Sequence, residues 1–137
     1  MAGGGDHGED MALFQFLLDH RDEIRRSVKE LPDGVETLTE SDVQETAEKI
    51  REHVRSMYQR LEESRPIHAR DPLFAEIFRN ADKIEMSIED TERGLRVRET
   101  STDPNVARLI KSHAEVVSQF LVNGHAEMRK NHPVPER

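Results

Sequence analysis

Apolar side chains recur along this chain in two rhythms, one of three to four residues and one of two. Leu13, Phe14, Phe16, Leu17 and Leu18 precede a charged cluster, which predicts a short amphipathic helix over residues 11–22. Ile24 and Val28 then share one side of an extended stretch, and Val35–Glu40 is rich in β-branched residues, so two strands follow. Leu31-Pro32-Asp33-Gly34 between them has the composition of a turn. Ser41, with Gln44 three residues on, has capping-box spacing and predicts a helix start. Val43, Ala47, Ile50, Val54, Met57 and Leu61 carry that helix in steps of three and four. A connection over residues 64–71, containing Pro66, closes the first half.

The second half repeats this order. Asp71-Pro72 opens a short helix with Leu73, Phe74, Ile77, Phe78 and Ala81. Ile84, Met86 and Ile88 alternate with polar residues, the period of a half-buried strand. A turn at Thr91–Gly94 leads to a return strand over Leu95–Thr100, and Asp103-Pro104 starts a last helix with a broad apolar face. From Lys130, with Pro133 and Pro135, the chain should be irregular.

Overlaying the halves at an offset of sixty needs no gap. Leu13 and Phe14 meet Leu73 and Phe74, Gly34 meets Gly94, Ser41 meets Ser101, and Ile50 and His53 meet Ile110 and His113. About a dozen identities fall in this window, against roughly three from average composition. The expectation is one α+β domain over residues 11–137. It is built from two α-β-β-α repeats, 11–64 and 71–130, behind a flexible tail of residues 1–10. A lone hairpin is marginal in water. Two of them can join as a four-stranded antiparallel sheet with helices on one face, the halves related by a pseudo-twofold axis.

Composition narrows the function. Formal net charge is −8 and 35% of residues are charged. Lys and Arg are interleaved with Asp and Glu, which disfavours nucleic acid and anionic membrane surfaces as partners. No cysteine is present, which removes thiolate metal sites, disulfides and cysteine nucleophiles. No apolar run reaches the length of a membrane span, and no secretory leader is visible. The chain reads as cytoplasmic as it stands, or periplasmic if a leader has been removed.

The duplication supplies the chemical lead, because a site on a twofold axis receives the same residue type twice. His53 and His113 are such a pair, each midway along a long helix. Two symmetric imidazoles suit bis-axial ligation of haem b, or two ligand positions on one transition-metal ion. Met57, one turn after His53, is a candidate soft ligand, and Met86 could line an apolar pocket. Arg26, on the same strand side as Ile24 and Val28, could hold a haem propionate; alternatively its stem covers the core edge and its head reaches water. His125 and Met128 could form a metal site at the domain's end, with His132 a further turn on if the helix persists. His7, among Asp6, Glu9 and Asp10, could catch a cation weakly, or simply be solvated. His20, which aligns with Asn80, and His68 in the connection read as surface or capping residues. A duplicated histidine can also be a plain structural donor. No di-iron, zinc-protease, phosphate-loop or nucleophile-elbow motif occurs, and no nucleophile or base has an evident partner, which weighs against an enzyme.

The stretches Ala81-Asp-Lys-Ile-Glu-Met, Gly94-Leu-Arg-Val-Arg-Glu-Thr-Ser101 and Leu109-Ile-Lys-Ser-His-Ala114, with Asp103-Pro104, Gly34-Val-Glu-Thr and Thr39-Glu-Ser41, resemble a family of small, functionally uncharacterised bacterial proteins with a duplicated α-β-β-α unit. The resemblance covers nearly the whole chain beyond the tail. It implies a bacterial origin and carries no binding or catalytic residue. The functional expectation is therefore a small protein holding haem b or a transition-metal ion between its repeats, for electron transfer, sensing or carriage. The rival is a cofactor-free module whose open sheet face, with Arg25, Ser27 and Lys29, forms a homodimer or meets a redox or regulatory protein partner.

Overall fold

The computed structural model describes residues 7–136. Helix α1 (His7–Asp19) and a 3-10 turn (Arg21–Glu23) lead into β1 (Ile24–Leu31), β2 (Gly34–Ser41) and α2 (Gln44–Glu62). The second half gives α3 (Pro72–Arg79), a 3-10 turn (Ala81–Lys83), β3 (Glu85–Thr91), β4 (Gly94–Thr100) and α4 (Pro104–Asn123), followed by the single turn α5 (His125–Met128). The strands form one antiparallel sheet in the order β1-β2-β4-β3.

Register reveals the symmetry. At the centre of the sheet Thr37 stands opposite Val97, and these two residues are sixty apart. Each hairpin has the same register: Arg25 faces Glu40 in the first, and their counterparts Glu85 and Thr100 face each other in the second. The bonds that close the seam come as an exchanged pair, Ser41 N–H to Arg93 C=O at 3.0 Å and Ser101 N–H to Asp33 C=O at 2.9 Å. A pseudo-twofold axis thus passes between Thr37 and Val97.

The same symmetry explains two glycines. A Cβ on Gly34 would lie 1.9 Å from the Glu99 carbonyl oxygen, and one on Gly94 would lie 2.0 Å from that of Thr39. Backbone lies against backbone there, so no side chain can swing aside. Gly94→Ala is expected to cost about 2–3 kcal/mol by forcing the central strands apart, close to 10 °C in Tm for a domain of this size. A thermal melt reads the difference, and an unchanged Tm would contradict the tight seam.

Alternation along the strands sorts the two sheet faces. Val35, Leu95 and Val97 point to the helices and are buried, while Arg25, Ser27, Lys29, Glu85, Ser87 and Glu89 are exposed on the other side. The open face carries ion pairs such as Arg25 with Glu40 (3.7 Å) and Arg96 with Glu89 (2.8 Å). Helices α2 and α4 lie across the inner face, α1 packs on α2, and α3 packs on α4. Leu18, Leu73, Leu109 and Phe120 anchor the helical part of the core, and Ile50 and Ile110 close it onto the sheet.

Several local expectations need correction. Residues 7–10 are the first turn of α1 rather than tail; residues 1–6 lie outside the described residues. Asp10 is what fixes that turn: its carboxylate is wholly buried, accepting from Ser56 Oγ at 2.5 Å and pairing with Arg60. Ser41 does not cap α2 through a capping box. It ends β2, and its hydroxyl accepts from Val43 N–H at 3.1 Å in the turn before the helix. Asp71 and Asp103 do cap, each accepting from the amide two residues on. The last helix does not persist to His132. It breaks at Gly124, φ 62°, and the segment after Lys130 folds back against α3.

Candidate functional site

An apolar cavity of about 110 Å³ lies among the helices, on the side of α2 and α4 away from the strands. Its walls come from both repeats in matched pairs. Phe14 and Phe74, His53 and His113, and Met57 and Val117 all line it, and each pair is related by the offset of sixty. The helical period selects these residues, because positions 53 and 57 are one turn apart on α2 and 113 and 117 one turn apart on α4. The short helices contribute the phenylalanines. The Phe14 ring stacks on His53 with centroids 5.7 Å apart, and Phe74 meets His113 edge-on at 5.0 Å.

The imidazoles there are poor in partners. His53 Nδ1 is buried and accepts or donates no hydrogen bond. An unsatisfied ring nitrogen in an apolar setting is costly and calls for a reason. Burial holds the His53 imidazole down to about 4, against a smaller opposing pull from the Asp10 carboxylate. His113 is likewise held down to about 4, first by burial and then by the Arg26 charge, with Asp71 opposing. Both rings are therefore neutral at pH 7, the state in which imidazole is a ligand.

A third imidazole joins them. His68 lines the same cavity from the connection between the repeats, with φ of 56°, the left-handed region. Its Nε2 is buried without a hydrogen-bond partner, and the nearest carboxylate oxygen, Asp71 Oδ2, is 3.7 Å away, beyond hydrogen-bond reach. Burial lowers its pKa as well, outweighing Asp71. Met11 from α1 and Met128 from α5 complete the thioether lining with Met57. Asp10 also reaches the wall, but its carboxylate is engaged by Ser56 and Arg60.

The remaining candidates lie elsewhere. Arg26 points inward, not into the cavity: its guanidinium donates to Ser118 Oγ (3.0 Å), Ala114 C=O (3.2 Å) and Thr39 Oγ1 (3.3 Å), tying α4 to the sheet. Burial pulls its pKa down to about 10 against the charge of Glu99. Met86 packs between two parts of the core and lines a different groove from the one holding His53 and His113. His125 is partly exposed and meets Asp19 at 3.1 Å; it lines an outer groove that also contains Met128. His7 borders that groove too. His20 and Asn80 are equivalent helix caps, bonding Phe16 C=O at 2.8 Å and Glu76 C=O at 2.9 Å. His68 is the correction: it is half-buried, lining the cavity between the repeats as well as the outer groove.

A second polar group sits next to the cavity. His132 bridges two buried carboxylates, Nδ1 to Asp71 at 2.5 Å and Nε2 to Glu127 at 2.5 Å. Desolvation lowers its pKa, but the hydrogen bonds and charges of Asp71 and Glu127 together outweigh it and raise the net value. Glu127 is held down to about 2, chiefly by His132. Asp71 also accepts the His132 amide at 3.1 Å. Among the described residues, no set of three or more histidines and carboxylates is arranged to hold a metal ion. Also among them, no helix is long and apolar enough to cross a membrane.

No protein-family model, curated protein or solved structure matches this chain.

Proposed function

We propose that this chain holds a transition-metal ion in the cavity between its repeats, with His53 and His113 as the protein ligands; the haem that the paired histidines suggested does not fit a cavity of about 110 Å³. The observation that carries the reading is the cavity itself. It lies between the two long helices and receives one neutral imidazole from each repeat. A structural histidine inherited twice would be expected to satisfy its ring nitrogens, and His53 Nδ1 is left bare. Carriage or sensing fits this site better than catalysis, since among the described residues no serine, threonine or lysine lines it.

The test is an absorption spectrum with metal analysis of the protein purified from haem-fed and from metal-supplemented cells. One equivalent of a metal ion is expected in the wild type. His53→Leu and His113→Leu keep an apolar wall of similar size, and each is expected to lose the bound species while retaining the fold by circular dichroism. A colourless, metal-free protein that runs as a dimer would overturn this reading in favour of the cofactor-free module. The charged open face of the sheet is the surface such a dimer would use.

A further inference from the structure

We infer that the species held is a soft monovalent ion of the copper(I) class, bound by imidazole and thioether together and admitted through a methionine-lined gap. This rests on the metal-binding reading above and narrows it.

Size speaks first. Pockets for drug-sized molecules occupy about 300–1,000 Å³, and this cavity has about 110 Å³, room for an ion and its ligands but not for a porphyrin. Donor type speaks second. Three of the four methionines among the described residues, Met11, Met57 and Met128, line the cavity alongside the three histidines. Hard cations take carboxylate and carbonyl oxygens, and the one carboxylate on the wall is already engaged by Ser56 and Arg60. Zinc sites draw on cysteine, histidine and carboxylate. Thioether with imidazole selects copper(I). Charge agrees: every donor is neutral, so the bound ion keeps its full charge in an apolar wall, and desolvation penalises a divalent ion far more than a monovalent one.

A way in is also present. The outer groove between α1, the 68–70 connection and α5 shares Met11, His68 and Met128 with the cavity, and His7 and His125 border its outer part. An ion can thus pass from exposed imidazoles to shared thioethers to His53 and His113 without leaving donors that suit it.

The experiment titrates the full-length apoprotein anaerobically with copper(I) held by a chromophoric competing chelator, with zinc(II), cobalt(II) and haem titrated in parallel. One copper(I) per chain is expected, with sulfur scattering in its X-ray absorption spectrum. Met57→Leu, nearly isosteric, is expected to weaken copper(I) by about tenfold or more, and His113→Leu to abolish it. Binding of haem or a divalent ion that His113→Leu removes, with copper(I) not retained or indifferent to Met57→Leu, would overturn the copper assignment and leave the metal site standing. No binding of any probe, or binding indifferent to His53→Leu and His113→Leu, would overturn both.

Discussion

Acidification from pH 6.5 to 4 is expected to remove a large share of the stability of the metal-free protein. In the unfolded chain each histidine titrates near 6.5, whereas folding holds His53 and His113 at about 4. Between those values the unfolded chain binds more protons, so stability rises with pH across the window. The contribution is complete above 6.5 and gone below about 4. Allowing for their partial exposure, each imidazole accounts for roughly 2–3 kcal/mol, and domains of this kind hold only about 5–15 in total. His68 shifts in the same direction. His132 runs the other way. Its raised pKa means its stabilisation is whole below 6.5 and fades as pH climbs through the folded value. Glu127 is held down to about 2, so its share is whole above the ordinary glutamate value of 4.5 and begins to fall only at the acid end of the window. Urea midpoints measured from pH 7.5 to 4 read the slope, and the double variant His53→Leu/His113→Leu should flatten it. A wild-type profile already flat over that range would mean the two rings are solvated.

The other large effect belongs to Asp71. One carboxylate caps α3 through Leu73 N–H at 3.0 Å, accepts the His132 amide, and pairs with its ring. Asp71→Ala removes a helix cap, a loss of about 1 kcal/mol. It also leaves a buried imidazolium with half its counter-charge, a larger loss of about 3 kcal/mol. The expected result is a Tm lower by roughly 10 °C or more and proteolytic cleavage after Lys130, read by mass spectrometry. Asp103, its counterpart as a cap on α4, holds besides the cap only the half-exposed Lys83 at 3.6 Å, a pair worth little in water. Asp103→Ala should cost little more than the first amount, so equal losses in the two variants would remove His132 from the account.

The repeat made the architecture legible. Period-two and period-three segments fell in the same order twice, and the central register of Thr37 on Val97 is the geometry that a twofold between identical units demands. The shared cavity was legible for the same reason, since His53 and His113 could be paired by counting alone. What counting could not find has no counterpart in the other half. His68 lies in the connection between repeats, and its left-handed backbone turns its ring inward with no periodicity to announce it. His132 was misjudged because two nearby prolines signal an end to helix, which is correct, but not where the chain goes next. Asp71 and Glu127 decide that. Arg26 read as a strand cation facing a core, and the structure gives it carbonyl and hydroxyl acceptors on α4 and β2, with the Glu99 carboxyl near enough to be felt.

At positions 57 and 117 the two halves no longer agree: one wall offers methionine where the other offers valine. Joining two copies in one polypeptide makes that disagreement heritable, because each copy can change without its twin. A homodimer of single repeats would have to accept every substitution twice at the axis. The tandem arrangement therefore lets an originally even-handed hollow become lopsided, with sulfur on one side and plain hydrocarbon on the other, while the sheet beneath keeps its mirrored stitching.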